Sequence, residues 1–179
     1  IIGAGTIGLL CAAVAQVRGA KRIFSVAKYD QQAEMACEMG ATDVLRVGDS
    51  DPRKAIPEKL QTDGVDVAID SVAAGTSFTT ALALGVPHGR VVVVGGVTRP
   101  LLAALGPMVS RELLVTGSNC YAETDGRPDF RAAIELIQQG KIQPEKLVTH
   151  TFPFDEVEAA FRTADDKETG AVKVVVEMA

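Results

Sequence analysis

The sequence contains few residues of the types that bind metals or form disulfides: two histidines and three cysteines among 179 residues. Cys11, Cys37 and Cys120 are odd in number and far apart. We interpret them as buried free thiols of a reducing, cytoplasmic compartment. His88 and His150 have no second ligand at metal-binding spacing, whereas a zinc site needs three or four convergent ligands. The sequence therefore predicts no metal site on this chain.

It also lacks a basic cluster and a long apolar segment. The 18 lysines and arginines are outnumbered by 23 acidic residues, giving a net charge of −5, which argues against nucleic acid as a partner. No apolar run approaches the roughly 20 residues that span a bilayer, so we expect no membrane partner. The remaining composition, 47% hydrophobic and 23% charged, is typical of a globular domain.

An initiator methionine is absent as well. The sequence begins at Ile1, two residues before a glycine-rich turn. We therefore expect a piece of a longer protein, in which the first strand is cut short.

The glycine-rich turn is the strongest motif present. Ile1 and Ile2 lead into Gly3-Ala4-Gly5-Thr6-Ile7-Gly8, and the apolar run 9–17 that follows predicts a helix. In a dinucleotide-binding unit the first glycine permits the tight turn, the second lets the backbone approach a pyrophosphate, and the third lets helix and strand pack closely. The free N–H groups near Thr6 and Ile7, with the helix dipole, favour phosphate binding. A glycine-rich turn is also often only a turn, so the rest of the chain decides.

Six β-favouring segments alternate with helices along the chain. The strands are predicted at 1–2, 22–27, 43–47, 65–70, 90–94 and 112–118, and the main helices at 9–17, 30–39, 52–60, 77–84 and 129–139, with Asp30 as an N-cap and a turn at 87–89. This order predicts an α/β fold, a doubly wound six-stranded parallel Rossmann sheet whose ligand crevice lies at the carboxyl ends of the strands.

The end of the chain follows a different pattern. A strand at 147–152, an amphipathic helix at 154–163 and a valine-rich strand at 171–177 follow the sixth strand. We therefore divide the chain into a domain at 1–146 and a strand-helix-strand tail at 147–179.

Together these motifs resemble the carboxyl-terminal half of the medium-chain dehydrogenase/reductase superfamily, in its zinc-type alcohol, threonine and polyol dehydrogenase branch. The resemblance covers essentially the whole chain through segments 3–8, 38–44, 89–96, 112–118, 130–142 and 152–161. It implies that domain 1–146 holds a nicotinamide coenzyme for hydride transfer to or from an alcohol or carbonyl.

The same resemblance implies where the chemistry lies. In this family the catalytic zinc and its ligands belong to an amino-terminal domain that this sequence lacks, so we expect no catalytic residue on this chain and no turnover by it alone. The tail would return to that domain. The resemblance further implies a homodimer through the sixth strand, from Leu113 to Ser118, since an unpaired strand edge is prone to pairing.

The residues expected to contact the coenzyme lie at the carboxyl ends of the strands. They are Gly3, Gly5, Thr6, Ile7, Gly8, Ala27, Lys28, Arg46, Ser71, Val72, Gly95, Gly96 and Val97.

The choice of coenzyme depends on the end of the second strand. An acidic residue about 20 positions past the glycines binds the adenosine ribose and marks NAD. Here Ala27 lies 19 residues after Gly8 and is followed by Lys28. We therefore expect NADP, with Lys28 and then Arg46 as partners of the 2′-phosphate. The alternative is that Lys28 is a solvated loop residue, Asp30 binds the ribose and the coenzyme is NAD.

Other functions remain open at this point. The zinc-free quinone and enoyl reductases share this half closely, and only the amino-terminal sequence would separate them. A non-catalytic nucleotide-binding module that dimerises is another reading. A methyltransferase is disfavoured, because those proteins need an acidic residue at the position that Ala27 occupies here.

Overall fold

The structure, a computed structural model, describes residues 1–178. Helices and strands alternate in its first two thirds. They are α1 (Thr6–Val17), β1 (Phe24–Ala27), α2 (Asp30–Glu38), β2 (Asp43–Arg46), α3 (Pro52–Leu60), β3 (Val65–Asp70), α4 (Gly75–Leu84), β4 (Gly85–Val93), α5 (Gly106–Ser110) and β5 (Leu114–Gly117).

The remaining third contains a short hairpin, whose two strands have two residues each, and the tail. Its elements are β6 (Glu123–Thr124), β7 (Arg127–Pro128), α6 (Asp129–Gln138), β8 (Val148–Pro153), α7 (Val157–Asp165) and β9 (Lys173–Glu177), with short 3₁₀ turns at Pro144–Leu147, Phe154–Glu156 and Lys167–Thr169.

The parallel strands β1 to β5 form two small sheets that meet at Ile2. Strand β1 pairs with β2, and β3, β4 and β5 pair in that order, all in parallel. Ile2 bridges Val26 of β1 on one side and Asp70 of β3 on the other. The expectation of one continuous six-stranded sheet is therefore met only in part, because the predicted first strand is reduced to this single bridging residue.

Helices cover both faces of these strands because side chains alternate along each strand. On one face, Val26 and Leu45 join a buried cluster with residues of α3 and α4. On the other face, Ala27 joins a cluster with Leu9 of α1 and Ala36 of α2. The two clusters make the layered α/β arrangement that the alternating sequence predicts.

A side-chain cap explains where helix α3 begins. Helix α3 starts at Pro52 because the Asp51 carboxylate accepts a hydrogen bond from the Arg53 N–H at 3.0 Å, and it continues through Pro57 to Leu60. Helix α2 differs from the prediction, since Tyr29 occupies the N-cap and Asp30 is the first helical residue.

The predicted turn at 87–89 lies inside strand β4 instead. The register of β4 against β3 shifts between Val65 and Val67, and His88 adopts a positive φ of 60°. The segment is therefore a bulge, which lengthens β4 without ending it.

The tail has the predicted strand-helix-strand order and its own sheet. Strands β8 and β9 pair in parallel with each other. The tail is also tied to the first domain: the Thr6 hydroxyl donates to the Val172 carbonyl at 3.0 Å, and the Gln31 side chain donates to the Lys167 carbonyl at 3.1 Å. Leu147, 2% exposed, packs in the same cluster as Leu9.

The cysteines differ from the prediction of buried thiols. Cys37 and Cys120 are exposed, and Cys11 is half-buried; all three are free. Among the described residues no group of three or more candidate ligands is arranged to hold a metal ion. None of the helices in that part of the chain combines the length and apolar character needed to cross a membrane.

Candidate functional site

The glycine-rich turn lies where the two small sheets meet. The Gly3 N–H donates to the Val26 carbonyl at 3.0 Å, and the Ile2 N–H donates to the Ile69 carbonyl at 2.8 Å. Gly3 has a φ of +95°, and a Cβ at this position would lie 2.6 Å from Val72 Cγ2. Backbone conformation and lack of space therefore both require glycine here.

The other two glycines of the motif have opposite surroundings. A Cβ on Gly8 would lie 1.9 Å from the carbonyl oxygen of Gly3, so helix α1 packs directly on the turn. A Cβ on Gly5 would meet nothing within 4 Å. Gly8 is needed for packing, whereas Gly5 keeps a space open beside the turn.

The start of α1 presents free hydrogen-bond donors to that space. The first amide of this region with a backbone acceptor is that of Leu9, which donates to Gly5 at 2.9 Å. Within residues 1–178 the N–H groups of Thr6, Ile7 and Gly8 have no acceptor, and the N-cap, Gly5, has no side chain to supply one. Unpaired amides and the positive end of the dipole of a 12-residue helix are features that favour the binding of an anion.

These groups line a cleft of about 640 Å³. It runs from the turn to the loops that follow β1, β2 and β3. Its lining residues are Ile2, Gly3, Ala4, Gly5, Thr6, Ile7, Gly8, Val26, Lys28, Tyr29, Gln32, Val47, Gly48, Ser50, Pro52, Ser71, Val72, Thr76, Ser77 and Thr80. Lys28 is the only charged side chain among them.

Most of the predicted site residues therefore come together. The cleft unites Gly3, Gly5, Thr6, Ile7, Gly8, Lys28, Ser71 and Val72. Sequence reasoning missed the loop at 47–50, which follows β2 at the same edge as the other loops, and missed Gln32 on the first turn of α2.

A buried carboxylate fixes the loop that follows β3. Asp70 is fully buried, and its side chain accepts hydrogen bonds from the Val72 and Ala73 N–H groups, both at 3.0 Å, and from the Ser77 hydroxyl at 3.1 Å. The Ser71 hydroxyl donates toward the carbonyls of Ile2 and Gly3, at 2.9 and 3.1 Å. The loop and the glycine turn are therefore held against each other.

The remaining predicted residues lie outside this cleft. Gly95 and Val97 line a second, largely apolar cleft of about 520 Å³, together with Phe78 and residues 115–119 at the end of β5. Gly96 lines neither cleft, and a Cβ there would meet nothing within 4 Å. Gly95 abuts the loop after β3, since its Cβ would lie 2.7 Å from that of Ala73. The second cleft thus begins where the first one ends.

Ala27 and Arg46 lie behind the cleft wall. Ala27 is fully buried, and its carbonyl accepts a hydrogen bond from the Val47 N–H at 2.8 Å. Arg46 is the register partner of Ala27 and forms an ion pair with Asp30. The Lys28 ammonium lies 5.2 Å from the centre of the Tyr29 ring. No acidic side chain lines the cleft as far as residues 1–178 are concerned.

Comparison with known proteins agrees with this geometry. The sequence profile of the family described as zinc-binding dehydrogenase matches residues 6–139. The chain is 33% identical to L-idonate 5-dehydrogenase from Vitis vinifera, over 99% of this chain and 49% of that protein. It is 30% identical to the NADP-dependent isopropanol dehydrogenase of Thermoanaerobacter brockii, over 100% of this chain and 51% of that protein.

A solved structure supports the fold. One solved structure that this chain resembles is that of a short chain alcohol dehydrogenase from Escherichia coli CFT073 in complex with NADH. The match covers 97% of this chain and 50% of that protein's chain, with a TM-score of 0.83 and 26% identity. The chain spans about half the length of the relatives that it matches. The fold is therefore the Rossmann-like α/β fold of dehydrogenases, and the chain belongs to the zinc-binding dehydrogenase family.

Proposed function

We propose that this chain is the coenzyme-binding half of an NAD(P)-dependent oxidoreductase that transfers hydride between the nicotinamide and an alcohol or carbonyl substrate. One observation carries the proposal: the unpaired amides of Thr6, Ile7 and Gly8 face the open space that Gly5 leaves in the cleft. A diphosphate requires such a combination of free donors and close access to the backbone.

The shape of the two clefts supports a dinucleotide as the ligand. The cleft at the glycine turn would hold the adenosine and the diphosphate. The apolar cleft beside Gly95 and Val97 would hold the nicotinamide end, with Gly96 leaving space at its rim. When bound, the coenzyme supplies or accepts the hydride. The chain's own residues bind it, orient it and keep water from its apolar face.

We further propose that the coenzyme is NADP. The relatives differ in this respect, since one is named NADP-dependent and another was solved with NADH, so the choice must come from residues of this chain. Within residues 1–178 Lys28 is the only charged side chain that lines the cleft, and the small Ala27 stands where an acid would mark NAD. Arg46, the register partner of Ala27 on strand β2, is the second candidate partner of the 2′-phosphate.

The remaining parts of the activity would come from outside this chain. We propose that a catalytic zinc and the substrate site belong to the other half of the protein, and that the tail at 147–179 contacts it. Exposed aromatic side chains on the tail, Phe154 at 57% and Phe161 at 74%, support a covering partner there. This chain by itself is then a coenzyme-binding module without turnover.

A homodimer through the sixth predicted strand also belongs to this proposal. Strand β5 pairs only with β4 in the described residues, and Leu114 on it is 49% exposed. An unpaired edge with an apolar side chain is suited to antiparallel pairing with a second copy.

Calorimetric titration of the chain with NADP and with NAD tests the central claim. We expect saturable binding of both, with NADP the tighter, and a loss of NADP affinity in Lys28→Ala that leaves NAD affinity unchanged. Absence of saturable binding of either coenzyme would refute the proposal. NAD binding as tightly as NADP would refute the choice of NADP alone. A full-length protein that binds coenzyme but oxidises no alcohol would favour the non-catalytic module.

A further inference from the structure

Two cations flank the part of the cleft that follows strand β1, and both are already engaged by the protein. The Lys28 ammonium lies over the Tyr29 ring, 5.2 Å from its centre. Arg46 is paired with the carboxylate of Asp30. A ligand phosphate that needs these cations must therefore compete with groups of the chain itself.

The Asp30–Arg46 pair is the stronger competitor of the two. Asp30 is the first residue of α2, and its side chain is 81% exposed, so nothing buries its charge. Arg46 is less exposed, at 33%, and its Nε is buried without an acceptor in the described part of the chain. The guanidinium therefore keeps a donor without an acceptor within residues 1–178, and Arg46 is the register partner of Ala27 and directly precedes Val47, which lines the cleft.

A carboxylate and a phosphate make the same kind of contact with arginine. Both offer oxygen pairs that match the planar guanidinium, but a phosphate carries more charge and a third oxygen. Asp30 therefore occupies Arg46 in the way that the 2′-phosphate of NADP would.

We infer that Asp30 is a specificity-determining residue that weakens the binding of NADP relative to NAD by competing with the 2′-phosphate for Arg46. The inference rests on the proposed function, because it concerns the same coenzyme cleft. It assigns Asp30 a role opposite to that of a ribose-binding acid: its carboxylate faces an arginine and lies outside the lining of the cleft.

The size of the effect follows from the exposure of the pair. An exposed ion pair is worth up to about fivefold in an equilibrium constant. We expect Asp30→Asn to tighten NADP binding by that factor, while NAD affinity changes by less than about twofold because NAD carries no 2′-phosphate.

The experiment is a calorimetric titration of the chain and four variants with NADP and NAD at one fixed salt concentration. The first variant is Asp30→Asn. The matched control is Glu34→Gln, which removes an exposed charge one turn further along α2. The third variant adds Asp30→Asn to Arg46→Met, compared with Arg46→Met alone. We expect tighter NADP binding only in Asp30→Asn, and no gain from the same change once Arg46 is absent.

Each other outcome overturns the inference in a recognisable way. Unchanged NADP affinity in Asp30→Asn removes the competition, and weaker NAD binding would make Asp30 a ribose ligand. An equal gain in Glu34→Gln would indicate long-range charge, and a gain that persists without Arg46 would indicate direct repulsion. If the unmodified chain binds neither coenzyme, the proposed function itself fails, which is distinct from coenzyme binding that ignores Asp30.

Discussion

Replacing Gly5 with valine distinguishes the contribution of the turn to stability from its contribution to coenzyme binding. The backbone of Gly5 is extended, with φ −80° and ψ −178°, and a side chain there meets nothing within 4 Å. A valine at this N-cap loses the modest capping advantage of glycine, about 0.5–1 kcal/mol, and regains a similar amount by restricting the unfolded chain. The free energy of unfolding should therefore change by less than about 1 kcal/mol, or less than about 4 °C in Tm.

The same valine should abolish most of the coenzyme binding. Its methyl groups fill the space in front of the Thr6 and Ile7 amides, so the diphosphate can no longer approach them. Losing two hydrogen bonds to a charged group, at about 1.5 kcal/mol each or more, weakens binding by roughly 100-fold or more. Titration calorimetry measures the affinity, and thermal unfolding measures the stability.

Two further glycines provide the controls. Gly8→Ala should destabilise the fold and lower Tm by several degrees, because its Cβ would lie 1.9 Å from the Gly3 carbonyl oxygen. Gly106→Val, at a position with equally open surroundings but outside both clefts, should leave affinity and stability close to those of the unmodified chain. If Gly5→Val binds coenzyme as well as the unmodified chain, the diphosphate does not lie at this turn and the reasoning fails.

Three other predictions concern the loop, a helix cap and the thiols. Asp70→Asn should destabilise the chain by about 1–3 kcal/mol in urea denaturation, because one of the three donors to this buried carboxylate then faces an amide N–H₂; an unchanged midpoint would contradict the role of Asp70 in fixing the loop. Hydrogen bonds from the Arg53 side chain and N–H lower the pKa of Asp51 to about 2, so its contribution to stability is present above the unfolded value near 4 and is lost as pH falls through about 2. An NMR titration of Asp51 with a midpoint near 4 would refute this assignment. Maleimide labelling followed by mass spectrometry should modify the exposed Cys37 and Cys120 quickly and Cys11 slowly, since burial raises the pKa of the Cys11 thiol; equal rates for all three would contradict it.

Local signals in the sequence were sufficient for much of the fold. The helix predicted at 52–60 is α3, and the glycine turn followed by an apolar run predicted α1. The strand predicted at 90–94 is the second half of β4, which lies between β3 and β5. In each case residues close in sequence decide the local conformation, so no distant contact is needed to infer it.

The features that sequence reasoning missed depend on distant contacts. The bulge at 87–89 exists because the His88 N–H reaches the Arg111 carbonyl, which no local pattern encodes. The prediction that the cysteines are buried was wrong for Cys37 and Cys120, because burial depends on how the helices pack on the strands. The loop at 47–50 joins the cleft only because β2 runs parallel to β1 and ends at the same edge.

The candidate site was predicted in the same uneven way. The glycines and the loop after β3 come together as expected, whereas Arg46 stands behind the cleft wall, paired with Asp30. The coenzyme contacts themselves remain predictions.

The hydrogen bond from the Thr6 hydroxyl to the Val172 carbonyl makes one residue serve two places in the fold. Thr6 gives its backbone N–H to the cleft and its hydroxyl to the tail. We therefore expect occupancy of the cleft and order of the chain around Val172 to be coupled, so that each favours the other. A protease that cuts near Val172 would then report, from the far end of the chain, whether nucleotide is bound at its beginning.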